Sequence, residues 1–292
     1  MTAPASATMR RDTRPVLRHI LNLWTLVWHP SRQREWSLER KLQAVKEAGF
    51  DGFTTQLEPR HARLADALGL LRVGYFSSSK PAEFARLLKT QKAAGARHVN
   101  VQLGDHDTAT TTAIRLARKL LSEARRLDLE VGIEVHRDTC TETPEKTYAL
   151  ADGYRQATGK LLPLTWDFSH LAVVKHLLPP YWSRLGVRPE LIKHARQFHF
   201  RPFNGHHCQV PVTNGRGRLT AEFRDYLPFM EQVMATWLTG VTAARELIAV
   251  PEMGPLWMGY NLHAFPSSWE QAKILRREID QCWTRVMRRQ KT

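Results

Sequence analysis

Four short segments of this 292-residue chain end an apolar run on ionisable side chains: 132–136 on Glu134 and His136, 165–170 on Asp167 and His170, 198–201 on His199 and Arg201, and 250–252 on Glu252. If the runs are strands, alternation turns residues two apart toward the same side. Each segment alone has a bland explanation, because a strand-end Glu can pair with an Arg and Asp or His can cap a helix. Together they crowd three carboxylates into one place, which repel unless a cation neutralises them. Two Glu, one Asp and one His are hard oxygen donors plus one imidazole. That set suits one divalent ion, Mn²⁺, Mg²⁺ or Co²⁺ with Zn²⁺ also compatible, better than it suits a thiolate zinc site.

The segments between these tips have the rhythm needed to bring them together. Apolar residues at 38, 42, 45 and 48 make a helical stripe, with Ser37 as N-cap and Gly49 after its end. Residues 46–57 and 92–103 rhyme: each is a helix end, a capping glycine and a strand closing on Gln-Leu. Strands are expected at 20–28, 50–57, 71–76, 98–103, 130–136, 162–167, 197–201 and 247–252. Helices are expected between them, and a final amphipathic helix at 267–287. Eight strand–helix alternations at a spacing of roughly thirty residues predict an α/β fold, a (β/α)8 TIM barrel over 18–292. No glycine-rich nucleotide fingerprint follows the first strand to favour an open doubly wound sheet. In a barrel all strand C-termini share one face, so Glu134, Asp167, His199 and Glu252 are expected to converge there.

Composition narrows the function classes. An apolar fraction of 42% and a charged fraction of 24% are those of an ordinary soluble domain, and no apolar run is long enough to span a membrane. Residues 1–17 lack an apolar signal segment and are expected to form a flexible basic tail. Cys140, Cys208 and Cys282 lie far apart with no CxxC, which points to a reducing cytoplasm. The net charge of +15 invites a nucleic-acid partner, but residues 1–40 and 273–292 carry +4 and +5 of it, away from the expected site. That placement argues against a nucleic-acid partner.

The order Glu134, Asp167-x-x-His170, His199, Glu252 on the fifth to eighth strands resembles the xylose-isomerase-like TIM-barrel superfamily. Segments 134–147, 210–223 and 250–255 look like it too, and the resemblance covers nearly the whole chain. That superfamily includes sugar (phosphate) isomerases and epimerases, inosose and dehydroshikimate dehydratases, and DNA-repair AP endonucleases. The resemblance implies that Glu134, Asp167, His199 and Glu252 hold one divalent metal. Glu134 and Glu252 would move a proton on opposite faces of a ketose, sugar phosphate or related polyol through an enediolate, and His170 would contact a substrate oxygen. The family's substrate-binding Arg, six residues after the metal His, is Gly205 here, which leaves Arg201 as its substitute. In the dehydratase branch a His two residues after the first Glu is an acid/base, and His136 occupies that position. The AP-endonuclease branch needs further His ligands on strands 2 to 4, where this chain has Gln56, Ser77 and Gln102.

The expected activity is thus a metal-dependent isomerase or epimerase acting on a small carbohydrate, in a possible homo-oligomer. A dehydratase on a keto-sugar or keto-cyclitol and a non-catalytic sugar-binding subunit are the alternatives. Trp24, Trp28 and His29 could stack on a sugar, and Trp257 and Tyr260 could wall its pocket. Residues 204–218, with three glycines, are expected to form a mobile loop over the mouth.

Overall fold

The structure, a computed structural model, describes residues 14–241 and 245–290. Among these, eight parallel strands close into a barrel in sequence order. They are β1 Val16–Asn22, β2 Gly52–Thr55, β3 Leu71–Ser78, β4 His98–Leu103, β5 Glu130–Glu134, β6 Leu164–Trp166, β7 Gln197–Phe200 and β8 Glu246–Pro251. The predicted (β/α)8 barrel is the observed fold. The ring closes where β1 pairs with β8, from Val16 opposite Glu246 to His19 opposite Ala249.

Helices α1 Leu38–Glu47, α2 Pro59–Leu68, α3 Phe84–Ala93, α4 Thr110–Arg126 and α5 Pro144–Thr158 return the chain between the first six strands. Short helices α6 Phe168–Val174, α7 Trp182–Leu185 and α8 Pro189–His194 follow β6. The long α9 Ala221–Leu238 and α10 Ser268–Arg289 flank β8. Their ends follow local chemistry. The Ser37 hydroxyl accepts from Arg40 N–H at 3.3 Å and Thr143 from Lys146 N–H at 3.2 Å, each satisfying an orphan amide at a helix start. The rhyming glycines, Gly49 and Gly95, both take positive φ, 75° and 87°, which a side chain would resist.

Most buried apolar residues lie between barrel and helices; Trp166 and Phe168, for example, stack at 4.6 Å. A smaller cluster, Ile20, Val73 and Val250 with Ile248 against it, is separate from that layer and lies on the inner face of the strands. Two residues further along the same strands stand Asn22, Tyr75 and Glu252, so the inner face changes from apolar to polar toward the C-terminal mouth.

Two sequence expectations need correction. β1 begins at Val16, and Val16 and Leu17, assigned to the tail, pair with Glu246 and Leu247; residues 1–13 lie outside the described residues. The strand also stops at Asn22, because Leu23–Leu26 form a 3-10 turn that buries Leu23 and Leu26 beside α10. A continuous apolar run cannot by itself separate a buried strand from a buried helical turn. No helix among the described residues is long and apolar enough to cross a membrane.

Candidate metal centre

The four strand-tip residues do converge. One atom from each of Glu134, Asp167, His199 and Glu252 lies within 4.8 Å of the others, and all four residues are buried. His199 Nδ1 stands 2.9 Å from Glu134 Oε1 and 2.8 Å from Glu252 Oε2. Each glutamate has its other oxygen tied by side-chain amides. Glu134 Oε2 accepts from Asn100 Nδ2 at 2.8 Å and Gln102 Nε2 at 3.0 Å, and Glu252 Oε1 accepts from Asn22 Nδ2 at 2.9 Å. Gln102 is itself oriented by the Tyr75 hydroxyl, which donates to Gln102 Oε1 at 2.8 Å. The tied oxygens fix each carboxylate and leave the opposite oxygen facing the cluster.

Asp167 does two jobs. Its Oδ1 caps α6, accepting from Ser169 N–H at 3.0 Å and the Ser169 hydroxyl at 2.6 Å. Its Oδ2 points the other way, 3.2 Å from Arg201 Nη1 and 3.4 Å from His170 Nε2. Burial alone would raise the Asp167 carboxyl, but the Arg201 guanidinium and His170 hold it well below the usual range. Burial likewise opposes ionisation of Glu134, yet the neighbouring His199 brings it down to about 2. For His199, burial would lower the imidazole, and the two glutamates outweigh it and hold it well above its ordinary value.

Arg201, expected as a substrate contact, is 1% exposed and also bridges two of the candidate ligands. Its Nη2 lies 2.9 Å from Glu252 Oε2, and its guanidinium packs 4.5 Å from the Tyr260 ring and 5.7 Å from that of Trp24. His170 is buried within α6, its ring 4.2 Å from that of His136. His136 Nδ1 lies 2.6 Å from the Arg137 carbonyl oxygen, to which it donates, so its Nε2 carries a lone pair. Burial, with the neighbouring His170, lowers the His136 imidazole to about 4.

A cavity of about 480 Å³ opens at the mouth, within the range of small-molecule sites. Glu134, Glu252, His136, Arg201, Trp24 and Tyr260 all line it, as do Asn22, Asn100, Gln102 and Tyr75. Trp28 and Trp257 instead pair at 5.5 Å in a separate outer cleft shared with His29, so these three do not wall the cavity. The 204–218 segment is also not the open loop its glycines suggest. Gln209, Val210 and Val212 are buried, Gln209 exchanges hydrogen bonds with Gly254 just beyond Glu252, and Gln271 anchors Thr213 N–H at 2.8 Å.

No family model matches the sequence, and no curated protein matches it. Solved structures do. D-allulose 3-epimerase from Methylomonas sp., in complex with D-allulose, superimposes with a TM-score of 0.58 at 14% identity, over 92% of this chain and 98% of that one. A xylose isomerase-like TIM barrel protein from Mycobacterium smegmatis in complex with magnesium gives 0.57 at 14% identity, over 92% and 97%. A probable 3-DHS dehydratase from Bacillus anthracis gives 0.52 at 16% identity, over 90% and 97%. The chain shares the TIM-barrel fold of these structures.

In this barrel the donor set fits a divalent cation. Asp167 Oδ2, Glu252 Oε2 and His199 Nδ1 are buried and, despite their close charged neighbours, none is aligned for a hydrogen bond. Two carboxylate oxygens and one imidazole nitrogen turned on one buried point, with ion-pair contacts but no aligned hydrogen bond, form a set that a divalent ion can take up once the imidazole gives up its proton. His106, exposed beside Asp138, and His206 and His207, exposed on the 204–218 segment, stay outside the cluster. The Arg201 guanidinium is a built-in counter-charge that the sequence argument did not foresee. Arg201→Met should cost the metal-free protein about 3–5 kcal/mol, because it strands buried carboxylates. It also removes a cation that faces the same oxygens a metal would use. Thermal melts with and without Mn²⁺ should show a lower metal-free Tm and a larger metal-induced rise than in the unmodified protein; an unchanged rise would contradict the competition.

Proposed function

We propose that the protein is a divalent-metal-dependent sugar isomerase or epimerase, acting on a ketose, a sugar phosphate or a related polyol. The observation that carries this reading is the convergence of two cavity-lining glutamates, from β5 and β8, each with one oxygen tied by side-chain amides and the other turned to the shared His199. A divalent cation held by Glu134, Asp167, His199 and Glu252 would polarise a substrate carbonyl and an adjacent hydroxyl, acidifying the neighbouring C–H. Mn²⁺, Mg²⁺ and Co²⁺ suit these donors, and the Mycobacterium smegmatis structure of the same fold is a magnesium complex.

The chain's own residues supply the proton chemistry. One ionised carboxylate, Glu134 or Glu252, takes the proton from the substrate carbon. Isomerisation returns that proton to the neighbouring carbon, whereas epimerisation needs the partner carboxyl to enter the step protonated and deliver its own proton to the opposite face. The Arg201 guanidinium lines the cavity and can hold a substrate oxygen while negative charge develops on it; His170, which does not line the cavity, supports Asp167 from behind at 3.4 Å. Tyr260 and Trp24 shield that space from water. Three free thiols, two of them buried, suit the reducing compartment such an enzyme would occupy.

One observation favours a second reading. His136 lines the cavity with a free Nε2 lone pair, placed to accept a proton from the substrate and deliver it to a departing hydroxyl, as elimination of water from a keto-sugar or keto-cyclitol requires. His136→Ala separates the two. An epimerase should keep C–H exchange within about tenfold, whereas a dehydratase should lose about 10²–10⁴ in product formation. Product identity by NMR decides: an isomeric sugar from both proteins supports epimerisation, and an unsaturated product lost in the variant overturns it.

A further inference from the structure

Beneath the cluster, on the inner face of the barrel, lies a polar column that the proposed chemistry does not use. Gln197 stands two residues before His199 on β7 and is fully buried; His98, at the start of β4, is 6% exposed. Gln197 Nε2 lies 2.8 Å from His199 Nε2. The Gln197 side chain also faces His98, where it favours the charged ring against the larger effect of burial. That contact is not aligned as a hydrogen bond: Gln197 Oε1 and both nitrogens of His98 are buried without partners, as is His199 Nδ1 at the other end.

These orphans have one common resolution. The Gln197 amine lies against His199 Nε2, an arrangement that a protonated Nε2 cannot use. A metal at Nδ1 needs the tautomer with the proton on Nε2 and an acceptor beneath it. A half-turn of the Gln197 amide exchanges its two ends. Its oxygen then accepts from His199 Nε2–H, and its amine points where the unpartnered oxygen was, toward a lone pair of His98.

We propose that Gln197 and His98 form a buried two-residue relay that fixes the metal-binding tautomer of His199, with the Gln197 oxygen accepting from His199 Nε2–H. They are positioning residues, and the inference rests on the metal reading of the site. Replacing Gln197 by Leu removes the acceptor, while replacing it by Glu keeps an acceptor and loses only the donor. Mn²⁺ titration calorimetry should show Gln197→Leu binding about 10–100-fold more weakly than the unmodified protein, typical for a lost outer-shell partner of a ligand histidine. Gln197→Glu should bind at least as tightly as the unmodified protein, because a carboxylate accepts from His199 Nε2–H more strongly. A merely structural role predicts the reverse order, since the buried charge disturbs the core more than leucine does.

The tautomer itself gives a second readout. In the Mg²⁺-loaded protein with ¹⁵N-labelled histidine, the His199 proton should reside on Nε2, and His98→Leu should shift that resonance without unfolding the chain. Wild-type affinity in Gln197→Leu, or weaker binding in Gln197→Glu than in Gln197→Leu, overturns the relay while leaving the metal site standing. An unmodified protein that takes up no Mn²⁺ overturns both.

Discussion

Glu134→Gln and Glu252→Gln should each reduce turnover by about 10²–10⁴, the range for loss of a positioned general acid or base. The geometry makes the outcome specific. In Glu134→Gln, the amide oxygen must face the donors on Asn100 and Gln102, which turns its NH₂ group toward His199, where it can neither ligate a metal nor take a proton. In Glu252→Gln, the donor on Asn22 likewise claims the oxygen, and the NH₂ group is driven against the Arg201 guanidinium. Both variants should therefore also lower the Tm, because Glu134→Gln strips the buried His199 imidazolium of one of its two carboxylate partners. Steady-state rates and thermal melts on both variants check this, and near-normal turnover in either would contradict the two-carboxylate mechanism.

Removal of the divalent ion should have an effect as large. The cluster holds three carboxylates against one guanidinium and one imidazole, with three inward donor atoms in no aligned hydrogen bond. Chelation should abolish activity and lower the Tm, and Mn²⁺, Mg²⁺ or Co²⁺ should restore both. Binding to the folded state alone stabilises it by RT ln(1 + [L]/Kd), about 2.7 kcal/mol at a hundredfold excess over Kd. Arg201 sets the protein's tolerance of the metal-free form. It keeps two of the carboxylates paired with a cation when no ion is present, so the protein should stay folded after chelation.

The barrel was legible because eight strand–helix units carry their own punctuation, such as Ser37 before α1 and the glycines at 49 and 95. The convergence of Glu134, Asp167, His199 and Glu252 was legible because parallel strands all end on one face, so four strand tips sufficed to bring them together. What the sequence hid were neutral side chains. Asn22, Asn100 and Gln197 have no pattern of their own, yet each stands two residues from a position already singled out or facing one across the mouth. Stepping back by two from Gln102 gives Asn100, and from His199 gives Gln197. Arg201 was assigned to the site, but spacing could not reveal that it pairs with Asp167 and Glu252. Helix α6 was missed because it is short and its cap is Asp167, a residue already given another role.

The most direct test of the central claim is solvent-deuterium exchange followed by NMR, on metal-loaded and metal-free protein, across a panel of ketoses, sugar phosphates and keto-glycosides. The account predicts deuterium at the carbon beside the carbonyl of at least one compound, only with metal bound, and none in Glu134→Gln or Glu252→Gln. Exchange in a demonstrably metal-free sample, or stoichiometric metal with no exchange and no product from any compound, would contradict it.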